Sequence, residues 1–299
     1  MRITVTGQTG QVVRALLERA PAGVDVIALG RPVLDLAQPG TIAAALAGSR
    51  PDVIVNAAAY TAVDQAESEP DLAMRINGAG AGEVARAAAS LGVPVIQLST
   101  DYVFDGRLDR PYREDDPVAP GSAYGASKLA GERAVAAATP DHAILRTAWV
   151  YSPFGKNFVR TMLKLGETHG EVGVVADQIG CPTSALDIAD AVFAVARNLR
   201  EQPEQASLRG IFHMAGQGEA SWADLAETIF TEAEALGRRP VRVRHIATAD
   251  YPTPARRPGN SRLDCTKLGD HHGVTLPDWR QAAAACVRRL LAEETEKAS

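Results

Sequence analysis

A tyrosine and a lysine stand one helical turn apart in the segment Tyr124-Gly-Ala-Ser-Lys128. Of the six tyrosines in the chain, only Tyr124 is followed by a lysine four residues later. Positions i and i+4 share a helix face, so the Lys128 ammonium would lie beside the Tyr124 phenol. A nearby positive charge lowers the pKa of a tyrosine from about 10 towards the range of proton transfer. The spacing predicts that Tyr124 takes part in proton transfer and that Lys128 tunes its pKa. A lysine can also hold the ribose of a nicotinamide.

A hydroxyl residue, Thr100, ends a predicted buried strand ahead of this pair, in Ser99-Thr100-Asp101. A hydroxyl at that point can donate to a carbonyl oxygen of a substrate and stabilise the charge that develops there. Ligand pockets of open α/β sheets lie at the carboxyl ends of the strands. We therefore predict Thr100, Tyr124 and Lys128 as the catalytic residues.

A glycine-rich turn, Gly7-Gln-Thr-Gly10-Gln-Val-Val13, follows the first predicted strand and opens the first helix. Glycine there permits a tight turn and lets the backbone approach a pyrophosphate at the helix N-terminus. Val13 replaces the usual third glycine, which predicts wider helix–strand packing or weaker cofactor binding. After the second strand, Arg31 stands where an arginine suits the 2′-phosphate of the cofactor. The pattern predicts NADPH as the preferred cofactor, with NADH possible.

The elements that must position these residues alternate through the first half of the chain. Short runs rich in β-branched residues predict buried strands, and the longer segments between them predict helices. Apolar strands separated by helices form a parallel sheet that is covered on both faces. This order predicts an α/β protein with a Rossmann-like doubly wound parallel sheet. The predicted strands are Ile3–Thr6, Val24–Leu29, Val53–Asn56, Val95–Ser99 and Ile144–Thr147, and the predicted helices are Gln11–Ala20, Thr41–Ala47, Leu72–Leu91 and Ala126–Ala138.

The second half mixes helices with short strands and a proline-rich segment, Tyr251–Pro258. Prolines remove hydrogen-bond donors and fix φ, so that segment is not expected to form regular structure. Residues 1–150 are predicted to form an NAD(P)-binding Rossmann domain. Residues 151–299 are predicted to form mainly a smaller, discontinuous α/β substrate-binding lobe, with some segments returning to the first domain.

Composition excludes several classes of protein. With 46% hydrophobic and 22% charged residues, the 299-residue chain is expected to fold rather than to be disordered. Its net charge of −5 disfavours nucleic acid as a partner. We find no signal peptide and no run of the ~18–20 apolar residues that cross a membrane. The three cysteines are far apart and unpaired, which favours a reduced, cytoplasmic location over a disulfide scaffold or a zinc site.

The sequence resembles the extended short-chain dehydrogenase/reductase superfamily in its glycine turn and in Thr100, Tyr124 and Lys128. Finer matches, from Met1 to about Trp279, closely resemble the dTDP-4-dehydrorhamnose reductase family. The proline-rich segment with its two arginines is particularly specific. The segments that carry the resemblance are Pro51–Ala59, Thr61–Asp64, Ser99–Phe104, Arg146–Tyr151, Asn157–Phe158, Asp177–Gln178 and Tyr251–Leu263.

The resemblance implies which residues touch each ligand. Two arginines of the proline-rich segment would clamp the substrate diphosphate, because a planar guanidinium suits phosphate oxygens. The implied cofactor-binding residues are Gly7, Gly10, Gln11, Val12, Arg31, Asp35, Leu36, Ala59, Tyr60, Thr61, Leu98, Tyr124 and Lys128. The implied substrate-binding residues are Thr100, Asp101, Trp149, Asn157, Arg256 and Arg257.

The implied reaction is reduction of the C4 ketone of dTDP-4-dehydro-β-L-rhamnose to dTDP-L-rhamnose, with Tyr124 as proton donor. Two alternatives stay open: a 4-ketoreductase acting on another dTDP-4-keto-6-deoxyhexose, and a non-catalytic regulatory subunit on the same scaffold. A 4,6-dehydratase is disfavoured because Asp101 is followed by Tyr102 instead of the glutamate that such enzymes use. A 4-epimerase shares the catalytic residues, but the proline-rich segment argues against it.

No metal site is predicted. Some relatives of this kind are thought to use Mg²⁺ at a dimer contact, but the first helix places Val13, Arg14 and Ala15 where a carboxylate would be needed. The sequence also lacks an HExxH motif. The chain is expected to be a monomer or a homodimer with a sugar nucleotide as its small-molecule partner.

Overall fold

The computed structural model describes residues 1–298 and the side chains of residues 1–294. The strands in this range are β1 (Arg2–Thr6), β2 (Asp25–Leu29), β3 (Val53–Asn56), β4 (Val95–Thr100), β5 (His142–Thr147), β6 (Val150–Tyr151), β7 (Glu171–Val175), β8 (Ile179–Gly180), β9 (Thr183–Ser184), β10 (Gly210–His213), β11 (Ala220–Ser221), β12 (Arg242–Ile246) and β13 (Asn260–Ser261). The helices are α1 (Gln11–Arg19), α2 (Ile42–Ser49), α3 (Val63–Ala66), α4 (Pro70–Ala73), α5 (Ala81–Leu91), α6 (Ala123–Ala138), α7 (Phe158–Thr168), α8 (Ala185–Glu201), α9 (Trp222–Ala235), α10 (Thr266–His272) and α11 (Trp279–Ala298).

Six of these strands form one parallel sheet in the order β2-β1-β3-β4-β5-β10. The chain runs outwards from β1 to β2 and then resumes on the other side of β1 with β3. The position between β1 and β3 is therefore the topological switch point, where ligands of open α/β sheets bind. The predicted doubly wound parallel sheet is confirmed.

Helices cover both faces of this sheet. In β3, Val53 and Val55 pack into a core with α1 and α8, while Ile54 between them packs into a core with α2 and α5. The alternation follows from the two-residue period of a strand, which sends successive side chains to opposite faces. Strands buried in this way need apolar residues at every position, which explains the continuous apolar runs of the sequence.

The predicted helix Leu72–Leu91 is helical but not regular. A π-helical segment, Met74–Gly80, separates α4 from α5. A side chain at Gly80 would place its Cβ 2.6 Å from the Leu36 carbonyl oxygen. The π segment therefore passes very close to the loop that follows β2, and glycine permits this approach.

The second half of the chain builds another core and also returns to the main sheet. Helices α7, α9 and α11 pack together with β7 around a separate apolar cluster. Strand β10 extends the six-stranded sheet beside β5, and α8 packs against α1 on its face. The proline-rich segment Tyr251–Pro258 contains no strand or helix, as predicted.

Among the described residues, no helix combines the length and the apolar character that crossing a bilayer requires.

Candidate active site

Helix α6 begins against the loop that follows β4. Ser122 caps the helix by accepting a hydrogen bond from the Gly125 backbone N–H at 3.1 Å. A Cβ at Gly125 would lie 2.2 Å from the Tyr102 carbonyl oxygen, so only glycine allows the helix to approach this loop. Tyr124, in the first turn of α6, is thereby held at the end of β4.

Thr100 is the last residue of β4, and its hydroxyl is already hydrogen bonded. The hydroxyl donates to Asp101 Oδ1 at 2.9 Å and accepts from the Tyr102 backbone N–H at 3.2 Å. Burial raises the pKa of Asp101 to about 6, although hydrogen bonds from Ser261 and Thr100 oppose the rise. Thr100 can donate to a substrate ketone once it turns away from this carboxylate.

The Tyr124 phenol lies beside Thr100 and under Tyr102. Burial raises the pKa of Tyr124 above its usual value, the charge of Asp101 adds to the rise, and the Thr100 hydroxyl opposes it. The rings of Tyr102 and Tyr124 meet edge to face with centroids 5.6 Å apart. The phenol is therefore protonated at neutral pH, which is the form that a proton donor requires.

Lys128 does not produce a net lowering of the Tyr124 pKa in this structure, because the net shift is upwards. Its Nζ donates to the Leu98 carbonyl oxygen at 2.7 Å, and the side chain is buried. Burial lowers the pKa of Lys128 to about 8, and the charge of Glu132 opposes this shift. The influence of burial on the phenol outweighs any effect of the neighbouring cation.

The glycine turn has the geometry that a bound pyrophosphate needs. Gly7 has a φ of +99°, a conformation that L side chains rarely adopt. A Cβ at Gly7 would lie 3.2 Å from Val13 Cγ2, because Val13 is buried directly beneath the turn. Gly10 has no side chain that could cap the N-terminus of α1, so the first N–H groups of the helix can donate hydrogen bonds to a phosphate. The turn thus fits a dinucleotide.

Gln11 and Asn157 bind each other. Gln11 Oε1 accepts from Asn157 Nδ2 at 3.0 Å and from the Ser152 hydroxyl at 2.7 Å. Asn157 Oδ1 caps α7 by accepting from the Arg160 backbone N–H at 3.2 Å. Asn157 therefore holds the loop before α7 against the first turn of α1, where Gln11 and the partly buried Val12 lie.

The predicted cofactor residues after β2 lie in a tight loop. Arg31 is exposed at the start of this loop, and Leu36 is buried against Gly80. Asp35 Oδ1 accepts a hydrogen bond from the Ala37 backbone N–H at 2.9 Å, so Asp35 shapes the turn.

The predicted cofactor residues after β3, Ala59–Thr61, are tied to α6 by Asn77 of the π segment. Asn77 Oδ1 accepts from the Tyr60 N–H at 2.8 Å, and Asn77 Nδ2 donates to the Ser127 hydroxyl at 2.9 Å. Ser127 in turn donates to the Tyr124 carbonyl oxygen at 2.7 Å. The sequence analysis missed Asn77, whose role depends on the irregular helix.

A cleft of about 260 Å³ opens at the N-terminus of α6. Thr100, Tyr124 and Lys128 do not line it, but Tyr102, whose ring contacts Tyr124, does. Arg257 lines it and is held by two contacts, donating to Asp64 Oδ2 at 2.7 Å and to the Tyr102 hydroxyl at 3.0 Å. Arg256 and Arg107 line it with exposed side chains, and Arg107 was not predicted. The lining residues are Tyr102, Phe104, Asp105, Arg107, Ala119, Pro120, Gly121, Ser122, Arg256, Arg257 and Pro258.

Trp149 does not line this cleft. Its indole stacks on Trp222, with ring centroids 3.6 Å apart and an interplanar angle of 6°. The ring lies so close to Gly180 that a Cβ there would be 2.4 Å from Trp149 Cε2. Trp149 adopts a φ of +48°, a strained conformation for a tryptophan, which the surrounding packing maintains.

The fold and the site together define a reductase of the extended short-chain dehydrogenase/reductase type. The features that define it are the doubly wound sheet, the glycine turn at the start of α1, and the group of Thr100, Tyr124 and Lys128 at the carboxyl end of β4. Residues 1–292 match the family model described as RmlD substrate binding domain. A dTDP-4-dehydrorhamnose reductase of Sinorhizobium fredii is 53% identical, and the match covers 98% of this chain and 99% of the relative. The chain belongs to the dTDP-4-dehydrorhamnose reductase family of oxidoreductases, which confirms the resemblance.

Solved structures agree with this assignment. A dTDP-4-dehydrorhamnose reductase of Clostridium acetobutylicum superimposes with a TM-score of 0.89 at 38% identity, covering 97% of this chain and 100% of that one. The dTDP-4-dehydrorhamnose reductase of Bacillus anthracis, solved in complex with NADP, superimposes with a TM-score of 0.87 at 34% identity. The match covers 98% of this chain and 99% of that one. A probable dTDP-4,6-dihydroxy-2-methyloxan-3-one 4-ketoreductase of Streptomyces antibioticus is 41% identical over 98% of this chain and 97% of its own length.

Proposed function

We propose that this chain reduces the C4 ketone of dTDP-4-dehydro-β-L-rhamnose to give dTDP-L-rhamnose. The observation that carries the proposal is the meeting of Thr100 and a protonated Tyr124 beside a cleft lined by arginines. A ketone at this point would meet two hydroxyl groups, while the arginines would receive the diphosphate of a sugar nucleotide. The family membership supports the same substrate.

The proposed mechanism assigns one task to each catalytic residue. A bound reduced nicotinamide supplies the hydride that forms the new C–H bond at C4. Tyr124 donates its phenolic proton to the C4 oxygen as negative charge develops there. Thr100 donates a hydrogen bond to the same oxygen. Lys128 carries a positive charge one turn away from Tyr124, which stabilises the phenolate that remains after proton transfer.

We infer that the sugar nucleotide occupies the cleft and also contacts residues from the second half of the chain. Arg256 and Arg107 have exposed guanidinium groups at the cleft, so both can bind diphosphate oxygens. Trp149, Asn157, Asp101 and Arg257 keep the substrate-binding roles that the family resemblance implies. Residues 151–299 would then supply mainly the substrate-binding lobe, and residues 1–150 the dinucleotide-binding domain.

We infer that NADPH is preferred to NADH and that Mg²⁺ is not required. Arg31 is exposed at the end of β2 and free to meet a 2′-phosphate. Binding of Mg²⁺ would need a carboxylate in the region of α1 where Arg14 stands. The Arg14 guanidinium lies over the Phe154 ring, 4.4 Å from its centroid. Turnover should therefore survive a chelator. The chain is expected to act as a monomer or a homodimer, which sedimentation would decide.

The test is to mix the purified protein with NADPH and enzymatically generated dTDP-4-dehydro-L-rhamnose. We expect NADPH absorbance at 340 nm to fall and NMR to identify dTDP-L-rhamnose in an amount equal to the NADPH consumed. Oxidation of NADPH with a different C4 stereochemistry in the product would overturn the assignment of the substrate.

The 41% identity to a probable 4-ketoreductase of Streptomyces antibioticus supports a second candidate function. Under that alternative, the chain reduces another dTDP-4-keto-6-deoxyhexose with the same residues. Faster turnover of such a sugar than of the rhamnose precursor would favour it. Cofactor binding without turnover of any of these sugars would instead favour a regulatory subunit.

A further inference from the structure

A buried ion pair between Glu132 and Arg146 lies behind the catalytic residues. The two side chains are only 3% and 2% exposed. Arg146 Nη2 donates to Glu132 Oε2 at 2.7 Å, and Arg146 Nε donates to Glu132 Oε1 at 2.9 Å. Burying two charges costs several kcal/mol for each ion, and a pair of apolar residues is often as stable. Stability alone therefore does not account for this pair.

The carboxylate of Glu132 joins the elements that carry the catalytic residues. Glu132 stands one turn after Lys128 and two turns after Tyr124, on the same face of α6. The Ser99 hydroxyl donates to Glu132 Oε1 at 2.5 Å, and Ser99 immediately precedes Thr100 on β4. Arg146 lies opposite Ser99 in the neighbouring strand β5. One carboxylate thus fixes α6, β4 and β5 to one another.

The charge of this carboxylate acts on Lys128, which lies one turn earlier on the same face of α6. The hydrogen bond that its ammonium makes among the described residues runs to a neutral group, the Leu98 carbonyl oxygen. Burial lowers the pKa of Lys128, and Glu132 provides the opposing charge. The elements packed against α6 carry other titratable groups, among them Asp101 and Tyr102 after β4 and Arg146 on β5, and Tyr124 lies on α6 itself.

We propose that Glu132 is a positioning residue that keeps the buried Lys128 in its ammonium form and holds α6 against the strand that carries Thr100. The value of that ammonium in turnover rests on the proposed function. The charge state of Lys128, in contrast, is a property of the protein without substrate. The two parts of the proposal can therefore fail separately.

The test compares two substitutions that separate charge from shape. Glu132→Gln keeps the shape and removes the charge, whereas Glu132→Asp keeps the charge and shortens the side chain. The pKa of Lys128 is measured in the protein alone by NMR titration of lysine labelled with ¹³C at Cε, which is feasible because the chain has few lysines. Loss of a close opposite charge typically shifts a pKa by 1–3 units. We expect Glu132→Gln to lower the pKa of Lys128 by about one unit, and Glu132→Asp to change it by less than half as much.

Activity provides an independent readout, because in the proposed mechanism only the charged ammonium of Lys128 stabilises the Tyr124 phenolate. The ammonium is present below its pKa of about 8 and is lost as pH rises through that value. The alkaline limb of the kcat/KM profile should therefore move to lower pH in Glu132→Gln and stay near its wild-type position in Glu132→Asp. Glu83→Gln, which removes a carboxylate from an exposed pair with Arg86, is the control and should leave both readouts unchanged.

A pKa of Lys128 that is the same in Glu132→Gln as in the wild type would overturn the proposal, even if activity falls. If Glu132→Gln does not fold, the double variant Glu132→Gln with Arg146→Met removes both buried charges and avoids an unpaired guanidinium. The pKa of Lys128 should fall there as well, because the carboxylate that opposes its lowering is removed in both variants. An unchanged value in the double variant would equally refute the role of Glu132.

Discussion

At the scale of single residues, burial has more influence on the pKa of Tyr124 than the nearby positive charge of Lys128. The spacing of Tyr124 and Lys128 predicts a phenol with a lowered pKa, whereas burial raises it. For a reductase this is the useful direction, because the residue must hold its proton until the ketone accepts hydride. In the proposed mechanism, the cation therefore stabilises the phenolate after proton transfer instead of generating it beforehand.

Replacing Tyr124 with Phe tests this role at the residue scale. The variant removes the hydroxyl and keeps the ring that packs against Tyr102. We expect kcat to fall by at least about 100-fold, the usual scale of a lost general acid. Fluorescence titration should show NADPH affinity within about twofold of wild type, since the glycine turn that would hold the pyrophosphate is unchanged. Retained turnover would show that another group supplies the proton.

Arg31 gives a second prediction at the same scale. It is exposed beyond β2 and free to bind a phosphate of the cofactor. Arg31→Ala should weaken NADPH binding by about tenfold, consistent with loss of a charge-assisted contact, and should leave NADH nearly unaffected. The measurement is the dissociation constant of each cofactor by calorimetry. Equal losses for both cofactors would contradict a specific contact with the 2′-phosphate.

At the scale of elements, helix α6 reaches the active site because two of its residues are glycines. Gly125 passes beneath the Tyr102 carbonyl, and a Cβ at Gly131 would lie 2.1 Å from the Asn77 carbonyl oxygen. The neighbour at Gly131 is backbone of the π segment, which cannot move aside as a side chain can. Packing of α6 against the π segment thus positions both Tyr124 and Asn77.

Gly131→Ala should destabilise the protein for this reason. An alanine normally stabilises a helix by up to about 1 kcal/mol relative to glycine, but overpacking costs about 1–3 kcal/mol. We expect a net loss in the free energy of unfolding, measured by urea denaturation. Gly48→Ala in α2 is the matched control. In the described part of the chain, no atom other than its chain neighbours and its own helix backbone lies within 4 Å of the Gly48 Cβ position, so the helix preference alone should stabilise. A Gly131→Ala protein as stable as the control would refute the close-packing argument.

The same scale separates what the sequence could predict from what it could not. The sheet strands and the Tyr124–Lys128 pair could be predicted from local patterns. Runs of apolar residues indicate buried strands, and a spacing of four residues indicates a shared helix face. The π segment was not predicted, because its irregularity depends on contact with Leu36 on a distant loop. Nor was the hydrogen bond of Lys128 to Leu98, which exists only once α6 packs on β4.

At the scale of the whole molecule, the proline-rich segment crosses from the second half of the chain to the catalytic end of the main sheet. Arg257 reaches Asp64, a residue 193 positions earlier, and Asp64 Oδ1 also accepts from the Ala255 backbone N–H at 3.2 Å. The segment also packs on Gly106, where a Cβ would lie 2.6 Å from Pro258 Cβ. Such contacts between distant segments leave no local signal, which is why Asp64 was not predicted as a site residue.

Asp64→Asn should therefore affect the substrate and spare the cofactor. The amide can still accept from Ala255, but it no longer neutralises Arg257, whose guanidinium then keeps only the Tyr102 hydroxyl as partner among the described residues. The pair is partly exposed, so its loss should cost no more than about 1 kcal/mol of stability. We expect the KM for the sugar nucleotide to rise about tenfold, equivalent to ~1.4 kcal/mol of binding.

The kcat and the NADPH dissociation constant of Asp64→Asn should change by less than a factor of about two, because Tyr124 and the glycine turn are untouched. Steady-state kinetics at saturating NADPH measures KM and kcat, and calorimetry measures the NADPH dissociation constant. A rise in the cofactor constant equal to that in KM would mean that Asp64 supports the whole site. An unchanged KM would mean that Arg257 is held in place by its neighbours without the carboxylate. The expected split between KM and kcat thus tests whether a contact between the two halves of the chain sets affinity for the sugar nucleotide.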